Sequence, residues 1–550
     1  MAGCDAAGVL FTDPIFLFGF LPAALAGFFG AARLGQSWAC AWLVIASLVF
    51  YGWFEPRFVP LLLGSLLLNH GVARLLEATR ERRLQRVVLW AGIGINLAAL
   101  AYCKYLAWLI SLLDDWVGLG VAPPSIALPL GISFFTFTQI GYLLDVRDGE
   151  PHDRSAVRYA VFVTFFPHLI AGPILHHREI MPQFADPATY RFAPGNLALG
   201  ASIFIVGLLK KTVLADPTAT GVAEAFAHPE ALPLFAAWNA TLSYSLQLYF
   251  DFSGYSDMAI GLARMANVRF PLNFDSPYKA QSVIAYWQRW HMTLTRYLTR
   301  YLHDPLTLWA MRRRRARRLP VDRAAQVTLR GFGSMILVPV FVTIGLAGIW
   351  HGSGAQFLVF GLLHATWLTI ARLWGLFRPA RAEPGPFGRL WRVALTYLCV
   401  LVAAVFFRAP SVDAALAMLA GLSGLHGIGP ALPLPASWLD APAALPLPAS
   451  WAEGAGALLH GIARPAEWHE GSAVMRQVLW LAALYAIVWG LPNTQQIFVR
   501  FDPALDTVRP GGPAWLRWRP TAPWALAVGA LGMVALLSLG GTREFLYFQF

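Results

Sequence analysis

Charge is scarce in this 550-residue chain. Asp, Glu, Lys and Arg make up 13% of it, about half the share of about 25% found in soluble domains. That scarcity excludes intrinsic disorder, which needs low hydrophobicity and high charge, and it leaves too few polar groups to cover a soluble globule. Lysine is rarer still: Lys104, Lys210, Lys211 and Lys279 stand against 38 arginines. Cysteine is limited to Cys4, Cys40, Cys103 and Cys399. None forms a CxxC pair, so neither a disulfide framework nor a metal site is expected, and the cysteines read as small buried hydrophobes. Residues 1–13 carry two aspartates and no basic residue. A signal peptide needs a basic n-region, so the first apolar run is expected to be a retained span. Also missing are GxSxG, HExxH, a Walker A loop and a GxGxxG in a strand context. No permanently bound cofactor is expected.

What is present is apolar. Hydrophobic residues reach 57% and mean hydropathy is +0.54. A membrane-crossing helix needs about 20 mostly apolar residues. Runs of that kind occur at 14–32, 34–54, 58–73, 87–113, 157–175, 197–215, 233–250, 329–350, 354–371, 393–407, 477–495 and 520–542. Shorter stretches at 131–144 and 411–424 suit re-entrant, interfacial or buried segments. The expected architecture is an all-α polytopic membrane protein with about 10–12 transmembrane helices, formed as one domain over 1–550. The net charge of +12 sits in arginine-rich loops at 74–86, 312–323, 372–392 and 500–519. Such placement sets membrane orientation rather than nucleic-acid binding, and it assigns these loops to the cytoplasm. Span parity then puts both termini and the Pro/Ala-rich segment 425–475 outside. That segment contains ALPLPASW twice, at 431–438 and 444–451, a low-complexity duplication with no chemistry assigned.

Ionisable groups at membrane depth are costly and point to function by default. Asp251 and Asp257, in LQLYFDFSGYSDMAIGLARM (246–265), suit either buried carboxylates with arginine partners or the lining of a wet path. Read as one helix, 276–306 places Arg289, Arg296, Arg300 and His303 on one face and His291 on another with Trp287. The arginine stripe suits headgroups or ligand phosphates. The simpler alternative is an interfacial helix with snorkelling arginines and a satisfied core His291. In GLAGIWHGSG (345–354) four glycines loosen the backbone around His351, which is tolerated only inside protein or beside a wet cavity. His351 is therefore an accessible imidazole, suited to general-base chemistry on a hydroxyl, whereas His364 reads as a helix-packing residue.

These segments resemble the membrane-bound O-acyltransferase family, in its bacterial alginate O-acetyltransferase branch. The matching text is SFFTFTQIGYLLDV (133–146), FFPHLIAGPIL (165–175), LKKTVLAD (209–216), LQLYFDFSGYSDMAIGL (246–262), NFDSPYKAQSV…WQRWHMTL (273–294), GIWHGSG (348–354) and FLYFQF (545–550). The order matches and the likeness runs from near residue 9 to the end. All four lysines fall within or beside such text. One departure follows His291: Thr299 and Arg300 stand where the branch has an Arg-Asp pair, and a Gly-rich turn is replaced by the arginine run.

The resemblance implies a many-helix fold around a tunnel, with re-entrant and interfacial helices. His351 would be the leading base and His291 a second catalytic residue. Trp287, Arg289, Trp290, Trp350, Gly352, Asp257 and Tyr249 are the expected substrate-binding residues. It implies acetyl-CoA as donor and acetylation of an exported, alginate-like polysaccharide across the bacterial inner membrane. The alternatives are another envelope polymer, such as peptidoglycan, cellulose or teichoic acid, or a proton-coupled transporter using Asp251 and Asp257. The expected partners are membrane lipids, the polysaccharide acceptor and a periplasmic SGNH-hydrolase-like acetyltransferase, because the outward segments lack a folded domain large enough to grip a polymer.

Overall fold

Backbone N–H and C=O groups inside hydrocarbon have no water to bond, so a spanning chain must satisfy them within helices or a closed barrel. The computed structural model describes residues 11–118, 120–219, 221–377, 384–428, 470–539 and 546, and it takes the helical solution. Among the described residues there is no strand, and one isolated bridge pairs Phe274 with Trp290. Seven helices are long and apolar enough to cross a membrane: α2 (Gln36–Phe54), α3 (Pro56–Ala78), α4 (Arg82–Lys104), α6 (Pro194–Ala219), α8 (Leu329–His351), α9 (Ala355–Phe377) and α10 (Pro386–Arg408). Shorter apolar helices are α1 (Phe16–Ala31), α11 (Val412–Leu422), α12 (Arg476–Gly490) and α13 (Ala522–Leu537). A 23-residue helix such as α4 rises about 35 Å, enough for a hydrocarbon core of about 30 Å.

The outer surface has the pattern a bilayer requires. Leu67, Trp90, Leu329, Leu390 and Leu526 are exposed, an arrangement water would penalise. Exposed tryptophans gather near helix ends: Trp38 and Trp53 on α2, Trp374 on α9, Trp391 on α10 and Trp515 before α13. This is the expected interfacial belt.

Two expected spans differ from expectation. The run 87–113 breaks at Lys104 and Tyr105 into α4 and a second helix, Leu106–Val117. The run 157–175 is no span. It forms a nine-residue helix, Ala156–Thr164, then one short turn, Phe166–Leu169. Proline at 167 follows the break at Phe165, and residues 161–175 are buried in protein. The short 131–144 stretch becomes α5 (Ile132–Arg147), a helix buried on every side. The repeated octapeptide lies outside the described residues.

The central helix is α7 (Leu234–Met265), with 32 residues. It meets α6 along paired glycines: a Cβ on Gly207 would lie 2.6 Å from the Gly254 carbonyl, and one on Gly200 would lie 2.5 Å from that of Gly261. Small residues at matched seven-residue spacing let the backbones touch, which is how membrane helices gain packing energy without a hydrophobic driving force. Beside this crossing α6 widens into a π-turn, Lys210–Ala215, which turns two consecutive lysines toward α7. Lys210 Nζ reaches Asp257 Oδ2 at 2.6 Å, and Lys211 Nζ reaches Asp251 at 2.6 Å and Asp216 at 2.7 Å. The partners of the two carboxylates are thus lysines, not the expected arginines.

Removing one member of a buried ion pair leaves the other uncompensated and costs about 3–5 kcal/mol. Lys211→Met is therefore expected to destabilise the detergent-solubilised protein by about that amount, measured by thermal unfolding, with Lys211→Arg retaining most of the stability.

Candidate active site

Two helix breaks, both shielded by protein, carry the two histidines. The first lies between the short helices Val283–Trp287 and Met292–Leu298. The expectation of one continuous helix over 276–306 is incorrect. The backbone at 289–292 instead pairs with the NFD segment: Asp275 N–H donates to the Arg289 carbonyl and Met292 N–H to the Asn273 carbonyl, each at 3.0 Å. Those bonds replace the helical ones and leave His291 at φ +44°. The break removes Arg289 from the arginine stripe, while Arg296, Arg300 and His303 stay on the helical run that starts at Met292. Arg296 pairs with Glu179 at 2.9 Å, and Arg300 pairs with Asp145 at 3.0 Å and Glu150 at 3.1 Å. These guanidiniums tie the segment to neighbouring elements.

His291 is buried and held by Asn273. Its Nδ1 lies 2.9 Å from Asn273 Oδ1, while Asn273 Nδ2 donates to Ser256 Oγ at 3.1 Å. An amide oxygen only accepts, so Nδ1 carries the proton and Nε2 keeps its lone pair.

The second break follows α8. Gly345 and Gly348 do not loosen this helix, as the sequence suggested. Instead they let α9 approach: a Cβ on Gly348 would sit 2.4 Å from the Phe357 carbonyl. The helix runs unbroken to His351 and stops at Gly352, whose backbone is extended, with φ −164° and ψ 162°. A Cβ there would fall 2.1 Å from the Phe357 ring, so glycine alone fits. The last carbonyls of α8 lack helical partners. Tyr105 Oη donates to Ile349 at 2.9 Å, and Lys104 Nζ donates to Trp350 at 2.5 Å and His351 at 3.2 Å. His351 is 8% exposed. Its ring is walled by Trp350, Phe360 and Phe407, and its Nδ1 has no hydrogen-bond partner among the described residues.

Three cavities adjoin along this line. An inner space of about 330 Å³ is walled by Gln288, His303, Thr343 and Arg372, among others, and by Trp287. Trp287 is also in the wall of a central chamber of about 40 Å³, with His291, His351, His364, Trp290 and Phe407. His351 is in turn shared with a third space of about 80 Å³, bounded by Lys104, Gly131, Ser133 and Trp350. The inner space lies toward the arginine-rich ends of α8 and α9. The third lies at the far ends of α4 and α8, whose opposite ends are flanked by arginines.

Of the expected residues, His351, His291, Trp287, Trp290 and Trp350 come together on these walls. The others lie elsewhere. Arg289 contributes its backbone to the bridge, Gly352 ends α8, and Tyr249 packs against Tyr278 and Phe274. Asp257 accepts from Lys210, Thr494 (2.7 Å) and Gln495 (2.9 Å). Sequence reasoning missed three residues. His364 lines the chamber and accepts at Nδ1 from Trp287 Nε1 at 3.2 Å, Asn273 holds His291, and Lys104 caps the His351 helix. The one available signal for Lys104 was its rarity, a lysine retained in an arginine-rich chain.

Comparison with known proteins gives this geometry a family. Over 447 residues the chain is 36% identical to the peptidoglycan O-acetyltransferase of Helicobacter pylori, covering 76% of this chain and 81% of that protein. The chain belongs to the membrane-bound O-acyltransferase family. The family model matches residues 134–319, a span that includes His291 and stops before His351. The chain is also 35% identical to the probable alginate O-acetylase AlgI of Pseudomonas putida, over 74% of this chain and 79% of that one. At 26% it is similar to the teichoic acid D-alanyltransferase of Bacillus subtilis, over 44% of this chain and 58% of that one. This membrane O-acyltransferase thus presents three imidazoles, those of His291, His351 and His364, to one chamber. Transfer to a hydroxyl needs a group that takes the hydroxyl proton, and an imidazole does so near neutral pH.

Asn273→Leu is expected to leave the buried His291 N–H unpaired, at a cost of about 1–3 kcal/mol. Thermal unfolding measures that loss, and turnover is expected to fall with it to the level of His291→Ala.

Proposed function

We propose that this acyltransferase takes acetyl from acetyl-CoA at the cytoplasmic face of the bacterial inner membrane and delivers it on the opposite face toward hydroxyls of an exported, alginate-like polysaccharide. The observation that carries the reading is the line of three cavities with His351 shared between the central chamber and the space farthest from the arginine-rich ends. The inner space suits the arm of CoA. Thr343 Oγ1 and His303 Nε2 on its wall are buried without partners among the described residues, as amide-binding groups would be, and Arg372 offers a cation for phosphate. At about 10–15 Å³ per water-sized position, the chamber of about 40 Å³ holds about three such groups. The methyl group and carbonyl carbon of an acetyl fit within it.

In the reaction, the acceptor oxygen attacks the thioester carbonyl carbon while His351 takes the hydroxyl proton. The carbonyl π pair moves to oxygen. Collapse restores the C=O bond, breaks C–S and returns the proton from His351 to the leaving thiolate. His291, in the wall of the same chamber, orients donor or acceptor.

The third space, about 80 Å³, admits a side chain or a chain end rather than a polymer segment. A periplasmic SGNH-type partner, presenting a serine hydroxyl there and passing acetyl on to the polysaccharide, fits that size. Similarity to a peptidoglycan O-acetyltransferase supports peptidoglycan as the alternative acceptor.

His351→Ala is expected to lower acetyl transfer about 10²–10⁴-fold in proteoliposomes loaded with acetyl-CoA, with insertion and thermal stability retained; a variant matching wild type would sink the reading. Orientation is tested separately. In a cysteine-free background, Arg315→Cys should be labelled by an impermeant maleimide only from the cytoplasmic side and Ile428→Cys only from the periplasmic side. The reverse pattern would invert donor and acceptor faces.

A further inference from the structure

The space of about 80 Å³ beside His351 gathers hydrogen-bond donors that the proton transfer does not use. Lys104 Nζ already donates to two carbonyls, of Trp350 and His351. An ammonium has three donors, so one remains for the cavity that Lys104 lines. Trp350, 6% exposed, lines the same cavity, and its Nε1 has no partner among the described residues. An indole N–H donates and cannot accept, so its complement is an oxygen of a ligand. The third contribution is backbone. The 16-residue helix α5 begins at the cavity wall. Its Ile132 and Phe134 N–H groups donate to Pro129 and Gly131, while the N–H of Ser133 lies in the first turn, where a helix offers no internal acceptor. The positive end of the α5 dipole therefore points at the same space.

These groups come from three separate parts of the chain: Lys104 from the end of α4, Ser133 from the start of α5 and Trp350 from the end of α8. They converge on the wall that carries His351. No carboxylate lines this cavity, so its field is positive. A site rich in donors, with a base at its edge, suits an oxygen that gains negative charge during reaction. We propose that Lys104 and the indole N–H of Trp350, supported by the start of α5, stabilise the oxyanion of the tetrahedral intermediate. The assignment rests on the acyl-transfer reading above. When the hydroxyl oxygen bonds to the thioester carbon, the carbonyl π pair becomes a full charge on oxygen, which these donors receive. They release it as the C=O bond reforms and the C–S bond breaks.

The test uses the full-length chain in proteoliposomes, with acetyl-CoA as donor and a short serine-containing peptide as acceptor, read as release of free thiol. Lys104→Met and Trp350→Phe are each expected to lower kcat about 10²–10³-fold with KM for acetyl-CoA unchanged, because the charge they meet exists only in the transition state. Lys104→Arg keeps the cation and is expected to regain about tenfold or more of the Lys104→Met loss. Trp350→Phe keeps the ring and removes the N–H, so it decides the matter if Lys104→Met does not fold. A Trp350→Phe enzyme with wild-type kcat overturns the assignment. So does a Lys104→Arg enzyme as slow as Lys104→Met, since Lys104 would then be only a clamp on α8. No thiol release by the wild type would overturn the acyl-transfer reading itself, and this assignment with it. Wild-type turnover beside indifferent variants would overturn this assignment alone.

Discussion

Every interruption of a helix inside hydrocarbon exposes backbone carbonyls and N–H groups that only protein can satisfy. That constraint shapes this enzyme. Its two central histidines both sit at such interruptions, and each interruption is closed by side chains or backbone from a distant part of the chain. Residues 273–275 cover the break at 288–291. Lys104 and Tyr105, about 245 positions earlier in the chain, cover the end of α8. A break releases a side chain from helical geometry and points it into a cavity, while the closure prevents the break from melting. The geometry of the candidate site therefore depends on partners from elsewhere in the chain that satisfy the broken backbone.

Two groups of buried polar side chains differ in what satisfies them. Lys210, Lys211, Asp251 and Asp257 are bound to one another across α6 and α7, and Asp257 is further bound to Thr494 and Gln495. Such a cluster holds helices together, and it gives no support to a proton relay through the two aspartates. His351 Nδ1, Trp350 Nε1, Thr343 Oγ1 and His303 Nε2 are buried without partners among the described residues, and all four belong to residues on cavity walls. Buried polar groups are normally bonded, and these four fit the ligand positions proposed above.

Much of this was legible in the sequence, and the failures have a common cause. Uncharged runs of about 20 residues located α2, α8, α9 and α10 closely, because spanning is a local property of composition. His351 and Trp350 were legible from a short motif beside a glycine that turns out to be obligatory. The 276–306 segment was not. Its spacing reads as a helix, and nothing local shows that 273–275 will take its hydrogen bonds. His291 adopts φ +44° without being glycine, a conformation imposed by tertiary pairing. The glycines near His351 were read as loosening when they tighten the α8–α9 crossing, since sequence alone does not reveal which helix lies opposite. Lys104 and Asn273 act on residues far away in the chain, and no local pattern reports such partners.

The proposed transfer across a membrane sets one further demand, which is that the path must not leak. The inner and far spaces are the larger ones, and the chamber between them is the smallest of the three. Its walls are mostly aromatic, with Trp287 at one side and His351 at the other. At about 40 Å³ it is too narrow for an ion with its hydration shell. In the proposed reaction the imidazole of His351, on the wall shared with the far space, is where the acyl group changes carriers, so that neither carrier has to cross.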